Sequence, residues 1–557
     1  MQYRSICIAI FFATCCTWIQ AASPSMPVRQ EQLEQTRQEA LIRSERRLAP
    51  QAVIGTAAVE HPSSTALPGG TSFYIRSIEV EHADKEFSFL AYRAQAQAGR
   101  QMDSTAIQQL VDELNTVLLE KGYATCRVLL REQNLQDGVL RLYLLAGRLR
   151  TVRYSEDSAR VPWRSAFPIR EGDILNLRLI EQGLEQMKRL SSQDVAVKLV
   201  PTQDPELTDI ELTVKRTRPV HGLLSLDNSG LSDTGKVQWS ASVSIDQPLY
   251  ANDILSIGIN GDGMRDGYLR GTRGHNLYYR IPHGNDTFSF FYSYYDYRQH
   301  VRQRPYSFIS TGKTKRSGIT WDHVLSRTRR QKTSMDVSLT KRHSHYYIND
   351  MEIPVQALHT TALEVGISRR LYTGKDTVYT RLGYRRGIGL FGAQAESKDT
   401  DAPKSRYHMW LIDAEYTHPF TMGHRPAVFS SSLHGQWTTG GDRLYGVDMI
   451  SIGNRYTVRG FDGEYTLMGE SGWYVQSEVS SYIPALHSSA YAGIDAGAVY
   501  GPSARMGTGR TLAGAVVGMR GDISPGFSYD VFAGTPLYKP QGHRTGRAFG
   551  FTLSRRW

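Results

Sequence analysis

Beyond residue 219 the chain alternates between apolar and polar positions. Over 237–246, Val237, Trp239, Ala241, Val243 and Ile245 fall on one side, and Gln238, Ser240, Ser242, Ser244 and Asp246 on the other. Residues 286–297 do the same, with Phe288, Phe290, Tyr292 and Tyr294 sharing a face. The last residues place Phe549, Phe551 and Leu553 on one face before Trp557 closes the chain. Period-two alternation predicts strands with one apolar and one polar surface. About 16 of them, at roughly 21 residues per strand and connection, fit between residue 222 and the end, divided by Gly, Asn, Asp and Pro turns. That is the pattern of a transmembrane β-barrel, apolar toward lipid and polar toward its lumen. A soluble sandwich or propeller is the alternative, and it leaves the aromatic final strand unexplained.

Residues 71–217 have a different texture. A strand is expected over 73–80, then a helix whose apolar face is Ile107, Leu110, Val111, Leu114, Val117 and Leu118. Thr105 and Gln108 suit a capping box at its start, and Gly122 suits its end. Strands over 125–130 and 139–145 follow, with Asp137 and Gly138 as the turn. The order then repeats. Leu177, Ile180, Leu184 and Met187 make the apolar face of a second helix, and Val195, Val197, Leu199 and Ile210, Leu212, Val214 alternate as strands. Two successive β–α–β–β units predict two small α+β modules, at 71–149 and 150–217, ahead of a barrel at 218–557.

The first 22 residues read as a secretory signal peptide: a basic start through Arg4, a mostly apolar run over 6–19, and Ala21 and Ala22 for cleavage. The apolar run falls short of the roughly 20 residues that a membrane-spanning helix needs. Thr14 before Cys15 argues against a lipoprotein signal. Cleavage would remove Cys7, Cys15 and Cys16, so the mature chain keeps Cys126 alone and builds no disulfide or cysteine metal site. Residues 29–48 then form a helix polar nearly all round, its sizeable apolar residues being Leu33, Leu41, Ile42 and Leu48. Such a helix belongs in water or in a hydrated cavity. Residues 49–70, with Pro50, Gly55, Pro62, Pro68, Gly69 and Gly70, read as a linker.

Composition sharpens this picture. The 557 residues include 31 Tyr, 18 Phe, 8 Trp and 50 Gly, yet mean hydropathy is −0.39. Many aromatics with little net hydrophobicity suit aromatic girdles around a wet interior. The net charge of +11 suits nucleic acid, anionic lipid or solubility alone, and an export signal makes nucleic acid the weakest of these.

Matches to catalytic patterns fail on context. Gly387, Gly389 and Gly392 fit a GxGxxG string, but the polar loop over 393–404 follows where a dinucleotide site needs a helix. Residues 230–236 nearly spell a phosphate loop, but Val237 stands where Ser or Thr is required, so they read as a hairpin turn. His343 and His345 share a strand face without an evident third ligand and read as solvent-facing. We expect no enzyme activity, no cofactor and no metal.

One constellation remains. Val458, Arg459, Gly460 and Phe461 lie within a Gly-rich interval over 438–472, too long for a hairpin loop. Further on, Ala492, Ile494, Ala496 and Ala498 make the lipid-facing side of a strand, leaving Gly493, Asp495 and Gly497 toward the lumen. Glycines flanking an inward carboxylate clear space for another chain segment. At about 4 Å and an effective dielectric near 20, an arginine and that carboxylate would attract by about 4 kcal/mol before desolvation. From spacing alone, Arg459 is as readily a solvated loop residue.

At these residues the chain resembles the outer-membrane transporters of two-partner secretion, the TpsB family, within the POTRA-plus-barrel superfamily. Residues 121–125 and 138–142 look like that family's first POTRA domain, and 166–168, 172–176 and 181–185 like its second. Val458–Arg459–Gly460–Phe461 matches the tip of its long in-folding loop, and Gly493, Asp495 and Gly497 match the inner-wall motif whose Asp receives the arginine. The resemblance covers essentially the whole mature chain. It implies two POTRA domains, a 16-stranded barrel in the outer membrane of a Gram-negative bacterium, and a plug helix at 23–48. It further implies export of a partner exoprotein (an adhesin, a cytolysin or a contact-dependent toxin) recognised through its N-terminal secretion domain. Outer-membrane lipid and the barrel-assembly machinery, which would read the terminal strand with Phe549, Phe551, Leu553 and Trp557, are the other implied partners. Trp557 stands where such barrels more often end in Phe, and Cys126 where the family has a small hydroxyl residue. An insertase of the same superfamily, which more often carries a longer POTRA array, and a plain porin, which needs no capture modules, are the rival readings.

Overall fold

Where the sequence alternates, the backbone is extended and the strands close on themselves. In the computed structural model, which describes residues 26–48, 72–263, 269–303, 306–399 and 401–557, sixteen main strands form one closed antiparallel barrel. The signal-peptide segment at 1–22 and the linker at 49–70 lie outside the described residues. The first barrel strand, Val220–Asp227, pairs with the last, Ala548–Arg556, with Leu226 opposite Leu553. Trp557 finishes the seam. Its amide and carbonyl exchange hydrogen bonds with Gly222 at 3.2 and 3.1 Å. A Cβ on Gly222 would stand 2.0 Å from the Trp557 ring, so this position has no room for a side chain. Outward positions are apolar and open, among them Leu224, Val243, Ile257, Val365 and Phe549, as a lipid-facing wall requires.

Two modules precede the barrel, each around its own apolar core. In the first, Ser77–Glu81 runs parallel to Val139–Leu145, which pairs antiparallel with Arg127–Leu130. Helix α1 (Met26–Leu48) precedes this module, helix α2 (Ser88–Gln95) lies within it, and helix α3 (Ser104–Lys121) supplies the six expected core residues. The structure differs from the sequence reading in three places. The single strand expected over 73–80 is two, since Phe73–Ile75 leaves to pair with Arg100–Met102. Helix α2 and that second ribbon were not foreseen. The cap of α3 is Asp103, whose side chain accepts from the Ala106 amide at 2.8 Å, while Gln108 bonds Asp112 and not the expected capping box. Gly122, at φ +97°, ends α3 in the left-handed conformation that its sequence position implied. Cys126 is buried in this core, and burial pushes its thiol up to about 11.

The second module pairs Arg148–Tyr154 parallel to Leu207–Arg216, which pairs antiparallel with Gln193–Pro201. Helix α4 (Leu177–Lys188), capped by Asn176, packs on that sheet and also docks on the short-turn end of the barrel. Glu185 on α4 takes Lys332 and Arg327 of the barrel rim, each at 2.5 Å. Gln186 donates to Thr287 at 3.0 Å, and the Ser192 amide donates to Asp246 at 2.8 Å. Tyr250, in a barrel turn, donates back to the Arg160 carbonyl at 2.6 Å.

Burial alone would raise the Glu185 carboxyl, but the Lys332 and Arg327 charges outweigh it and hold the group at about 2. A depressed carboxylate stabilises the docked state above its free pKa and loses that contribution as pH falls toward the docked value. Docking of α4 is therefore expected to be constant from neutral pH down to about pH 5 and to weaken between about pH 4 and pH 2. Glu185→Gln should weaken it by about 2 kcal/mol at neutral pH. Amide exchange across 177–188 of the full-length protein reads both effects, and exchange unaltered by the substitution would contradict this account.

Candidate functional site

A closed barrel of this size encloses a lumen wider than wall side chains can fill. Helix α1 lies in it, held by polar contacts from residues 29–37. Gln30 donates to the Tyr295 hydroxyl at 2.6 Å and accepts from Thr234 at 2.9 Å. Glu31 accepts from Tyr346 at 2.8 Å and Ser344 at 3.3 Å, and stands 3.6 Å from Arg342. Arg342 also donates to Gln35 at 3.0 Å, and Arg37 reaches Asp227 at 3.6 Å. Gln30, Glu31 and Gln32 are all buried. The want of an apolar face on α1 thus matches a polar wall.

The second occupant of the lumen is the segment over 440–470, between strands Arg425–Thr439 and Ser471–Ile483. It folds inward as a short ribbon, Ile450–Ile452 against Leu467–Gly469, with a tip between. Val458 and Phe461 from the tip bury with Ile452, Tyr474, Val499 and Leu512 in a small apolar core. This segment touches α1 directly: Gln32 donates to the Met449 carbonyl at 3.1 Å, and Arg29 donates to the Glu464 carbonyl. Arg342 joins the two occupants, since it also donates to Asp448 at 2.9 Å. Glu464 in turn accepts from Lys236 at 3.0 Å and the Ser232 amide at 2.9 Å, so the 230–236 turn serves as an anchor for the in-folded segment.

Arg459 meets Asp495 as the inward glycines suggested. Its Nε donates to Asp495 Oδ2 at 2.8 Å, its Nη2 to Oδ1 at 3.0 Å, and its own backbone amide to Oδ2 at 2.9 Å. Asp495 is fully buried. The remaining arm of the guanidinium, Nη1, donates to Glu478 at 2.7 Å, and Arg520 also binds Glu478. Two cations and two carboxylates therefore close into one chain. Removal of one partner from a buried pair of this kind costs about 3–5 kcal/mol, because the other charge is stranded.

Close approach to the wall requires glycine on both sides of the contact. A Cβ on Gly493 would lie 2.9 Å from Arg459 Nη2, and one on Gly497 3.1 Å from the Val458 side chain. Gly460 adopts φ +108° beside the Thr535 carbonyl. Gly514 and Gly534, which sequence reasoning missed, are tighter still: a Cβ on Gly514 would sit 1.8 Å from the Arg459 carbonyl oxygen, and one on Gly534 2.8 Å from Gly460 Cα. Glu478 and Arg520 were also missed. Their signal was faint, a charge among small polar residues on the inward face of a strand. Ala492 and Ile494 face outward as expected, while Ala498, opposite Trp473 in the register, is covered.

The other sequence features fall elsewhere. The 387–392 glycines end a strand, and a Cβ on Gly387 would lie 1.8 Å from the Ser405 carbonyl oxygen, so the requirement there is close backbone approach. His343 and His345 face out of the barrel, stacked on or edge-on to His359, with His345 bonded to Glu352 at 2.7 Å. Among the described residues no group of three or more His, Cys, Asp or Glu is arranged to hold a metal ion.

A sixteen-stranded barrel occupied by its own polar helix and an in-folded loop, with two α+β modules at its short-turn end, defines an outer-membrane transporter with periplasmic POTRA domains. Residues 206–521 match the family of haemolysin secretion/activation proteins ShlB/FhaC/HecB, residues 73–147 a ShlB-type POTRA domain, and residues 148–201 a POTRA domain. The chain is 39% identical over 464 residues to outer membrane transporter CdiB-2 of Burkholderia pseudomallei, 82% of this chain and 79% of that one. It is 30% identical over 501 residues to outer membrane transporter CdiB of Dickeya dadantii, 86% of this chain and 87% of that one. The structure of CdiB from Escherichia coli superposes with a TM-score of 0.84 at 26% identity, covering 96% of this chain and 100% of that one. The chain belongs to the ShlB/FhaC/HecB family, the outer-membrane transporters of two-partner secretion.

The glycine contacts yield a direct test. Gly514→Ala should displace the tip and speed amide exchange over 454–463 by about tenfold or more, with the heat-modifiable gel shift of the folded barrel retained. Unchanged exchange would mean that the tip does not rest on this wall.

Proposed function

We propose that α1 and the in-folded segment are the two gates of the export channel, released in that order. The observation that carries this reading is the asymmetry of their anchorage. Helix α1 is held largely by amide and hydroxyl hydrogen bonds, which water replaces at low cost, and by ion pairs at 3.6 Å that lack the two-pronged hydrogen bonding of the tip. The tip is held by a two-pronged Arg459–Asp495 pair buttressed by Glu478. The helix withdraws first, and the tip shifts afterwards while the partner passes in extended form. Folding of the partner outside the cell supplies the drive.

Capture falls to the two modules, through addition of a strand to a sheet edge. The edge strand Gln193–Pro201 is nine residues long and pairs on one side only with Leu207–Arg216. The edge strand Arg127–Leu130 is less open, because the Asn115 side chain takes both backbone groups of Val128, at 2.8 and 3.1 Å. The cargo is a large exoprotein with an N-terminal secretion domain, of adhesin, cytolysin or contact-dependent toxin type. A related protein, from Proteus mirabilis, is a hemolysin transporter, HpmB. The terminal strand, with Phe549, Phe551, Leu553 and Trp557, is the part that the barrel-assembly machinery reads before the seam closes.

Removal of 71–217 should abolish export of the partner in cells where the barrel still inserts and shows its heat-modifiable shift; normal export would sink the capture role. For the latch, Arg459→Ala and Asp495→Ala should each impair export while the barrel assembles. The double variant should be no worse than either alone, since the Arg459–Asp495 pair is broken in every case. Additive losses in a secretion assay would mean that the two residues act separately.

A further inference from the structure

On one side of the barrel the outward-facing positions change from apolar to basic toward the end remote from the POTRA modules. Arg342, Ser344 and Tyr346 of strand Gln331–Ile348 reach into the lumen, so the odd-numbered positions of that strand face out. They run Met335, Val337 and Leu339, then Lys341, His343 and His345. The register puts Ile319, Lys315 and Lys313 of the preceding strand beside Leu339, His343 and His345. Across the following strands it sets Leu363 beside Leu339, and Arg386 beside Leu363. Two strands earlier, Arg273 follows His275 and Leu277 in the same sense.

The apolar part of this face is open: Ile319 is 39%, Val365 46% and Ile367 51% exposed, as lipid contact requires. Directly beyond it stand Arg273, Lys313, Lys315, Lys341 and Arg386, none with an ion pair among the described residues. The acidic groups nearby are few. Asp350 is taken by Arg298 at 2.9 Å and Glu352 by His345 at 2.7 Å, while Asp296, on the strand between Arg273 and Lys313, has contacts of its own. The rest of the circumference differs. At the corresponding outward positions it carries Leu226, Trp239, Trp437, Trp473 and Tyr500. A basic face confined to one arc is more than a solubilising surface needs.

We propose that this arc binds a phosphate-bearing glycolipid of the outer leaflet. Its acyl chains lie on Ile319, Leu363 and Val365, and its headgroup phosphates on Lys313, Lys315, Lys341 and Arg386. Lys341 stands diagonally across from Lys315, about 7–8 Å away, near enough for two long side chains to converge on one phosphate. Lysine suits such a group as a point charge with three donors, and its position beyond the apolar band places it at headgroup level.

The test uses the full-length protein in detergent and bis-phosphorylated lipid A as the probe, with bound lipid counted by native mass spectrometry. The variant K313Q/K315Q/K341Q/R386Q should bind at least about tenfold more weakly, and lipid A stripped of both phosphates should bind the unaltered protein as weakly. Inorganic phosphate at equal concentration should not displace the lipid. If the fourfold variant loses its heat-modifiable shift, K313Q/K315Q is read in its place, with about a threefold loss expected. Equal binding by a folded variant, or by the dephosphorylated lipid, overturns the proposal. Displacement by inorganic phosphate alone overturns the lipid as its source.

Discussion

Inside a bilayer no water is available to a backbone N–H or C=O, so every one must find a partner within the sheet. That constraint forces Val220–Asp227 to meet Ala548–Arg556, and it explains why the last residue spends both backbone groups on Gly222. Closure has a consequence for the interior. Sixteen strands enclose more space than their inward side chains fill. The outer wall faces lipid and must be apolar, while the inner wall is polar because alternation leaves it nothing else to be. What fills the lumen has to satisfy that wall, and so it is a polar helix and a loop carrying an arginine.

The inner wall is electrostatically prepared for its occupants. Buried charges are costly unless paired, and the wall pairs them with itself where it can. Arg381 takes Asp336 at 2.9 Å and also binds Glu364, which Arg385 holds at 2.7 Å. At three places the wall leaves a charge for an occupant to complete. Asp495 and Glu478 receive Arg459, Asp227 receives Arg37, and Arg342 receives Glu31 and Asp448. Loss of α1 removes one of two carboxylates from Arg342, whereas loss of the tip would strip Asp495 of all three bonds that Arg459 gives it. The wall thus tolerates departure of the helix better than departure of the loop.

How much of this was legible in the sequence follows from the physics of each element. Strands of the barrel announce themselves because lipid on one side and water on the other impose a strict period of two. Helix α3 was equally plain, since its six core residues recur at helical spacing. The pairing of Arg459 with Asp495 was half legible: Gly493 and Gly497 reported a cleared space, but only the resemblance to a family supplied the occupant. Gly514 and Gly534 were illegible, because a glycine in a Gly-rich strand looks alike whether or not another backbone rests on it. Asp103 displaced the Thr105 box for a related reason. Both caps are good chemistry, and only the observed first turn, at Ser104, decides between them. His359 joined His343 through strand register, which pairs residues that no local spacing connects.

The polarity of α1 also decides how it can leave. A helix packed by an apolar stripe would expose that stripe on withdrawal, at about 25 cal/mol for each Å² uncovered. Helix α1 exposes chiefly glutamine, glutamate and arginine, and the wall it leaves exposes tyrosine, serine and arginine. Each hydrogen bond between them is worth about 1 kcal/mol net, since water replaces it on both sides. A handful of such bonds holds the helix firmly at rest, yet each can be exchanged for water singly, without the whole set breaking at once. The POTRA cores are built the opposite way, around Phe87, Leu90, Leu114 and Ile180, fully buried and not exchangeable with solvent. Chemistry therefore separates the parts that keep their shape from the part that the proposed gating releases.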